Sequence, residues 1–261
     1  MNRTKTIQGV TLAEIPEGRF IMGHDWQADN SQSEDVNSFY PDEQPPHEVA
    51  VGSFMMGSTA VTQSQYESVM GENHSTIKGP DLPVTNMGGG EVELFCNRLS
   101  KKAGLSPCYD EESRECDTTK DGFRLPSEAE WEYACRAGST GHFNIGESEA
   151  DLGRAGWYLE NSGRKIHPVA LKEANAWGLF DMHGNVFEFV EDNWNPNMAY
   201  GRYLVGATMP PYNYYHDLRI VRGGSWFSEA SVCRSAARSC FCNWPQLRQS
   251  WYIGFRVAKN I

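Results

Sequence analysis

The sequence predicts an α+β fold, and three observations carry that prediction. Short runs with strand character fill the N-terminal part of the chain. Two stretches with helical periodicity follow a capping signal or a glycine pair. Beyond residue 138 the pattern is one of turns and short strands, in a chain that holds 25 glycines and 8 tryptophans. That pairing of residue types favours a loop-rich fold tied down by aromatic anchors over a helical bundle. No internal repeat, low-complexity tract or shift in composition divides the chain, so one domain over residues 1–261 is expected.

In chain order, Thr11–Ile15, Gly18–Gly23, His47–Val51 and Ser53–Met56 read as strands. Between them, residues 24–46 are polar, acidic and interrupted by proline, and are expected to form a long loop. Thr62 and Gln65 have the T-x-x-Q spacing of a capping box, which opens a short helix to about Met70. Pro83–Thr85 is extended. Residues 90–103 place Val92, Phe95, Cys96 and Leu99 on one face, the spacing of an amphipathic helix that Gly104 stops. Ser127 and Glu130 form a second capping box, for a helix to about Arg136 that buries Trp131, Ala134 and Cys135. Residues 195–217, rich in Tyr, Pro, Asn and Gly, are expected to be an ordered excursion.

Composition excludes several classes of function. Charged residues make up 22% and hydrophobic residues 39%, the balance of a folded soluble chain. A net charge of −11 repels phosphate backbones and argues against nucleic-acid binding. No apolar run approaches the ~20 residues of a transmembrane helix. Met1–Ile7 has no signal-peptide core, the mark of a cytoplasmic product or of a surface protein whose leader has been removed. The seven cysteines show no CxxC pair or zinc spacing. Cys96 and Cys135 are expected in the core. Cys108 and Cys116 flank a polar loop and could pair, with free thiols the expectation for a chain without a leader. The seven histidines are scattered and form no H-x3-H pair.

The most informative region is C-terminal. Arg222–Trp226, Cys233–Arg238 and Ile253–Arg256 form a glycine- and arginine-marked frame around a stretch crowded with Phe, Cys, Trp, Tyr, Ser and Gln. Together with Gly18–Gly23, Glu43–Val49, Val61–Tyr66, Phe123–Ala134 and Asn175–Glu188, this frame resembles the formylglycine-generating enzyme (sulfatase-modifying factor) family, in the family's order and over nearly the whole chain. The resemblance implies a variant of the C-type lectin fold, with a small twisted antiparallel sheet, two main helices and many loops. The family includes copper-dependent oxidases that convert a cysteine to formylglycine, iron-dependent sulfoxide synthases, and non-enzymatic binders such as the variable proteins of diversity-generating retroelements. Fold alone therefore does not choose among them.

By the resemblance, the oxidase's two copper-binding cysteines fall at Ser228 and Cys233. A hydroxyl is a hard, poor ligand for Cu(I), so copper chemistry is not expected, and Cys233 reads as a small buried residue beside Trp226. Cys240 and Cys242 lie off the ligand positions, and the sulfoxide synthases' three-histidine helical domain has no counterpart. The resemblance also implies a structural calcium loop, with the Asp181 and Glu188 carboxylates and the Gly184 and Val186 carbonyls as ligands, hard oxygens from a tightly turned backbone. An alternative is that these carboxylates only accept backbone hydrogen bonds.

The expected function is non-catalytic binding of a protein or other macromolecular ligand. The expected face is aromatic-rich and lies within residues 227–252: Phe227, Ser228, Glu229, Ser239, Phe241, Asn243, Trp244, Leu247, Gln249, Trp251 and Tyr252. The resemblance leaves retroelement diversification open, although Trp, Gln and Glu do not arise easily from mutated adenines in Asn codons. The alternative is a formylglycine-generating-type, metal-dependent oxidoreductase acting on a cysteine or thiol substrate. Strand alternation predicts that some of these side chains face the core instead.

Overall fold

A computed structural model describes residues 4–25, 43–194, 218–242 and 250–261. It has the expected α+β architecture. The strands β1 (Thr4–Ile7), β2 (Val10–Ile15), β3 (Gly18–Met22), β4 (His47–Val51) and β5 (Phe54–Gly57) occupy the N-terminal part; β2 to β5 lie close to the spans read from the sequence, and β1 is an additional strand. β3 and β4 pair as an antiparallel ribbon. β1, β2 and β5 belong to a five-stranded sheet ordered β1-β2-β5-β11-β6, in which β11 (Ala258–Asn260) inserts between β5 and β6 (Phe123–Arg124). The end of the described chain thus completes the sheet that its beginning starts.

The second sheet is ordered β10-β7-β8-β9, from β7 (Phe187–Asn193), β8 (Leu218–Arg222), β9 (Arg238–Cys242) and β10 (Ile253–Phe255). It is not wholly antiparallel, because β10 runs parallel to β7. Its alternating side chains separate two cores. Phe189, Val221 and Phe255 join one core with Val92, Phe95 and Leu99, whereas Val190, Leu218 and Ile220 join the other with Trp131 and Met182.

Local sequence accounts for the helices. In α1 (Gln63–Met70) both halves of the Thr62/Gln65 capping box are made. α2 (Gly89–Lys102) buries Val92, Phe95, Cys96 and Leu99, the face expected from their spacing. Phe95 stacks on Tyr66 of α1 at 5.3 Å and 6°, and meets Phe255 edge-on at 5.2 Å. In α3 (Glu128–Arg136) the Ser127 hydroxyl accepts from the Glu130 amide at 3.1 Å, and the Glu130 carboxylate accepts from the Ser127 amide at 2.8 Å. Arg124 then grips Glu130 through two nitrogens at 2.7 Å.

One helix escaped the sequence reading. α4 (Glu149–Ala155) is capped by Ser148 but buries only Leu152 and Ala155, too few positions to show a helical period. Most of the expected 24–46 loop and all of the expected 195–217 excursion lie outside the described residues. Among the described residues no helix is long and apolar enough to cross a membrane.

Candidate functional site

The arginines of the C-terminal frame explain why it is rigid. Arg222, fully buried, donates to the carbonyls of Ser235, Ala236 and Ala237 and pairs with Glu132 of α3. Arg234 forms a bidentate pair with Glu43 at 2.7 Å, and Arg238 one with Glu128 at 2.6 and 2.7 Å. Arg256, also fully buried, holds Glu188 through two bonds of 2.7 Å and donates to the carbonyls of Gly57 and Phe180. Each planar fork matches a carboxylate that the chain must otherwise bury uncompensated. The partners lie far away in sequence, which is why reading along the chain did not find them. Between β8 and Trp226, Gly223 and Gly224 adopt φ of +91° and +72°. A Cβ on Gly224 would lie 2.5 Å from the Cys233 sulfur, so only glycine fits the turn.

This frame presents an aromatic cluster. Trp226 is buried among Ala60, Leu82, Ile166 and Val186. Phe227 next to it is 52% exposed, and Trp251, delivered by the turn that leads into β10, is 37% exposed. Ring centroids of Trp226 lie 5.6 Å from Phe227 and 5.0 Å from Trp251, and those two are 6.1 Å apart. Tyr252 meets Trp251 edge-on at 5.3 Å and reaches Phe187 at 6.2 Å. The parallel pairing of β10 with β7 puts Tyr252 beside Phe187, whose amide donates to the Tyr252 carbonyl at 2.9 Å. Phe187, partly buried, was missed from the sequence because it lies far from the C-terminal stretch.

The other expected face residues divide. Glu229 is exposed, and Ser239 is half-buried. Phe241 does not stand out into solvent: it is half-buried and packs on Phe189 at 6.1 Å, the consequence of strand alternation in β9. Cys240 turns to the opposite core, against the cluster that holds Leu218 and Ile220. Asn243, Trp244, Leu247 and Gln249 lie outside the described residues.

Ser228 is committed to local structure. Its hydroxyl accepts from the Ser225 amide at 3.0 Å and bonds the Ser225 hydroxyl at 3.0 Å, closing a tight turn. Cys233 ends the 3-10 turn Ala230–Cys233 and is fully buried. Its packing partners are Phe143, Leu152 and Tyr158, and Trp226 belongs to a separate cluster, which corrects the expected neighbour. Burial pushes the Cys233 thiol up to about 12, so it stays protonated at neutral pH. The Cys233 carbonyl bonds Nδ1 of His183 at 2.7 Å, and Nε2 of this fully buried histidine accepts from the Asn144 amide at 3.0 Å. Burial lowers His183 to about 4, so it is a neutral structural residue. A committed hydroxyl and one buried thiol do not fit a two-thiolate copper site.

Of the expected calcium ligands, the Glu188 carboxylate is already engaged. The two Glu188 oxygens are taken by Arg256, and one of them also accepts from the Trp131 indole at 2.8 Å. A fixed guanidinium thus supplies the positive charge expected of a cation. Asp181 is 3% exposed: its Oδ2 accepts from the Ala170 amide at 2.7 Å, and its Oδ1 has no hydrogen-bond partner. Burial pushes this carboxyl up to about 6. A cavity of about 730 Å³, walled by Phe20, Tyr133 and Trp177, shares no residue with the aromatic cluster.

Comparison with known proteins places this geometry. The profile of the Sulfatase-modifying factor enzyme 1-like domain matches residues 2–261. Among solved structures, Treponema denticola variable protein 1 superposes with a TM-score of 0.78 at 28% identity, covering 100% of this chain and 99% of that one. A Paenibacillus barcinonensis protein named chaperone protein LppX is 28% identical over 70% of this chain and 73% of its own length. The Bos taurus formylglycine-generating enzyme is 27% identical over 73% of this chain, which spans only 47% of that enzyme.

Proposed function

The chain belongs to the sulfatase-modifying factor enzyme 1-like family, and within that family we propose that it is a non-catalytic binding protein whose contact face centres on Phe227, Trp251 and Tyr252. One observation carries this reading: two large aromatic side chains are held in solvent on a buried tryptophan by a rigid, arginine-braced frame. Exposed aromatics fixed in this way offer large contact area with little entropy left to lose on binding. Similarity to a variable protein over the whole chain supports it. So do the committed Ser228 hydroxyl and the protonated Cys233 thiol. Diversification of this segment by a retroelement is part of the proposal. A reverse-transcriptase gene with a near-copy of the segment beside the coding sequence would support it, and a sulfatase gene there would favour the oxidase.

The test is a comparison of the wild type with the Phe227→Ala/Trp251→Ala/Tyr252→Ala variant on extracts of the source cells. The variant is expected to melt as the wild type does, within a few degrees, and to lose the ligand the wild type retains. Retention of the same ligand would refute the proposed face. Aerobic turnover of a cysteine-containing peptide with added copper decides the alternative. Formylglycine product, lost in Cys233→Ala, would establish an oxidoreductase instead.

A further inference from the structure

We propose that Cys108 and Cys116 are a redox pair whose disulfide clasps the polar loop between them against α2 and the C-terminal sheet. The backbone brings them together. Tyr109 and Cys116 form an antiparallel bridge, the Asp117 amide donates to the Cys108 carbonyl at 2.9 Å, and the Asp110 amide donates to the Glu115 carbonyl at 3.0 Å. Each thiol lies near enough to perturb the other's ionisation, and Cys116 packs against the apolar cluster that holds Cys108, Phe95 and Leu99. They differ in access: Cys108 is fully buried and Cys116 is partly exposed.

That asymmetry sets the order of chemistry. A low-molecular-weight disulfide such as oxidised glutathione reaches Cys116 first. The Cys116 sulfur displaces one glutathione as its thiol and keeps the other half as a mixed disulfide. Cys108 then attacks the Cys116 sulfur, forming the Cys108–Cys116 bond and releasing the second glutathione thiol. Two protein thiols are oxidised and one glutathione disulfide is reduced to two thiols. Access sets this order: Cys108 is sealed in the core and meets a disulfide only once that bond has been brought to it on Cys116.

The clasped loop is connected to the sheet that carries the aromatic face. The Tyr109 hydroxyl donates to Glu191 of β7 at 2.6 Å and accepts from the Leu125 amide at 2.9 Å. Arg114 at the loop's tip pairs with Glu93 at 2.6 Å, and Glu93 also holds Arg219 of β8.

Trypsin makes the test direct, because it cuts after Arg114 and separates the two cysteines into peptides 103–114 and 115–120, each with one cysteine. After equilibration of the folded protein with oxidised glutathione, a non-reducing map is expected to show these two peptides joined. Closing so short a loop is expected to raise the melting temperature by about 5 °C, reversibly with dithiothreitol. Cys116→Ser, a change at a partly exposed position, is expected to show neither the joined peptides nor the shift. Separate peptides, glutathione retained on Cys116, a bond to another cysteine, or joined peptides with unchanged melting would each overturn the proposal.

Discussion

Arg256→Met is the most informative single substitution. The wild-type guanidinium is fully buried and makes four bonds: two to Glu188, one to the Gly57 carbonyl and one to the Phe180 carbonyl. Methionine fills much of the volume but leaves a buried carboxylate uncompensated, at about 3–5 kcal/mol. The two carbonyls left without a donor add about 1–3 kcal/mol each where water cannot reach them. A total above about 5 kcal/mol approaches the whole stability of an ordinary domain. Adding Glu188→Gln removes the stranded charge and keeps an acceptor for the Trp131 indole. The double variant is therefore expected to be about 2–3 kcal/mol more stable than Arg256→Met alone, although each substitution by itself destabilises. Urea unfolding followed by the fluorescence of the 8 tryptophans gives all four corners of this cycle. If Glu188→Gln costs the same with and without Arg256, the pair is not coupled and the reasoning fails. If added calcium restores Arg256→Met, a cation can do what the guanidinium does.

Three further outcomes are expected. Asp181 titrates near 6 in the fold against 3.8 for an ordinary aspartate, so its ionisation opposes folding. Stability should fall by up to about 3 kcal/mol as pH rises from about 4 to above 6, and Asp181→Asn should abolish that part of the slope; equal pH profiles would contradict it. Calcium and chelator are expected to leave wild-type melting unchanged at pH 8, and a calcium-dependent gain missing from Asp181→Asn would restore a metal at this loop. Ser127→Ala removes a hydroxyl cap and should cost about 1 kcal/mol in urea unfolding, whereas an unchanged midpoint would show that Arg124 alone holds Glu130 in place.

The elements read most accurately were those specified by neighbours in the chain. The capping boxes at Thr62 and Ser127 and the spacing of Val92, Phe95, Cys96 and Leu99 placed three helices within a residue or two of their observed bounds. The face residues were harder, because exposure is a property of the sheet. Phe227 and Trp251 emerge into solvent, yet Phe241 turns onto Phe189, and no residue close to Phe241 in the chain distinguishes it from them.

The sequence by itself determined the α+β class, the family, the starts of three of the helices and the departure from a cysteine at Ser228. All of these are local patterns or their order along the chain, and both survive without coordinates. Only the tertiary structure decided which carboxylate each frame arginine holds, that Glu188 answers to Arg256, that Cys233 is sealed among Phe143, Leu152 and Tyr158, and that Phe187 joins Trp251 and Tyr252. Those outcomes depend on contacts across many intervening residues, where burial makes an unpaired charge costly and so enforces a partner that no local pattern names.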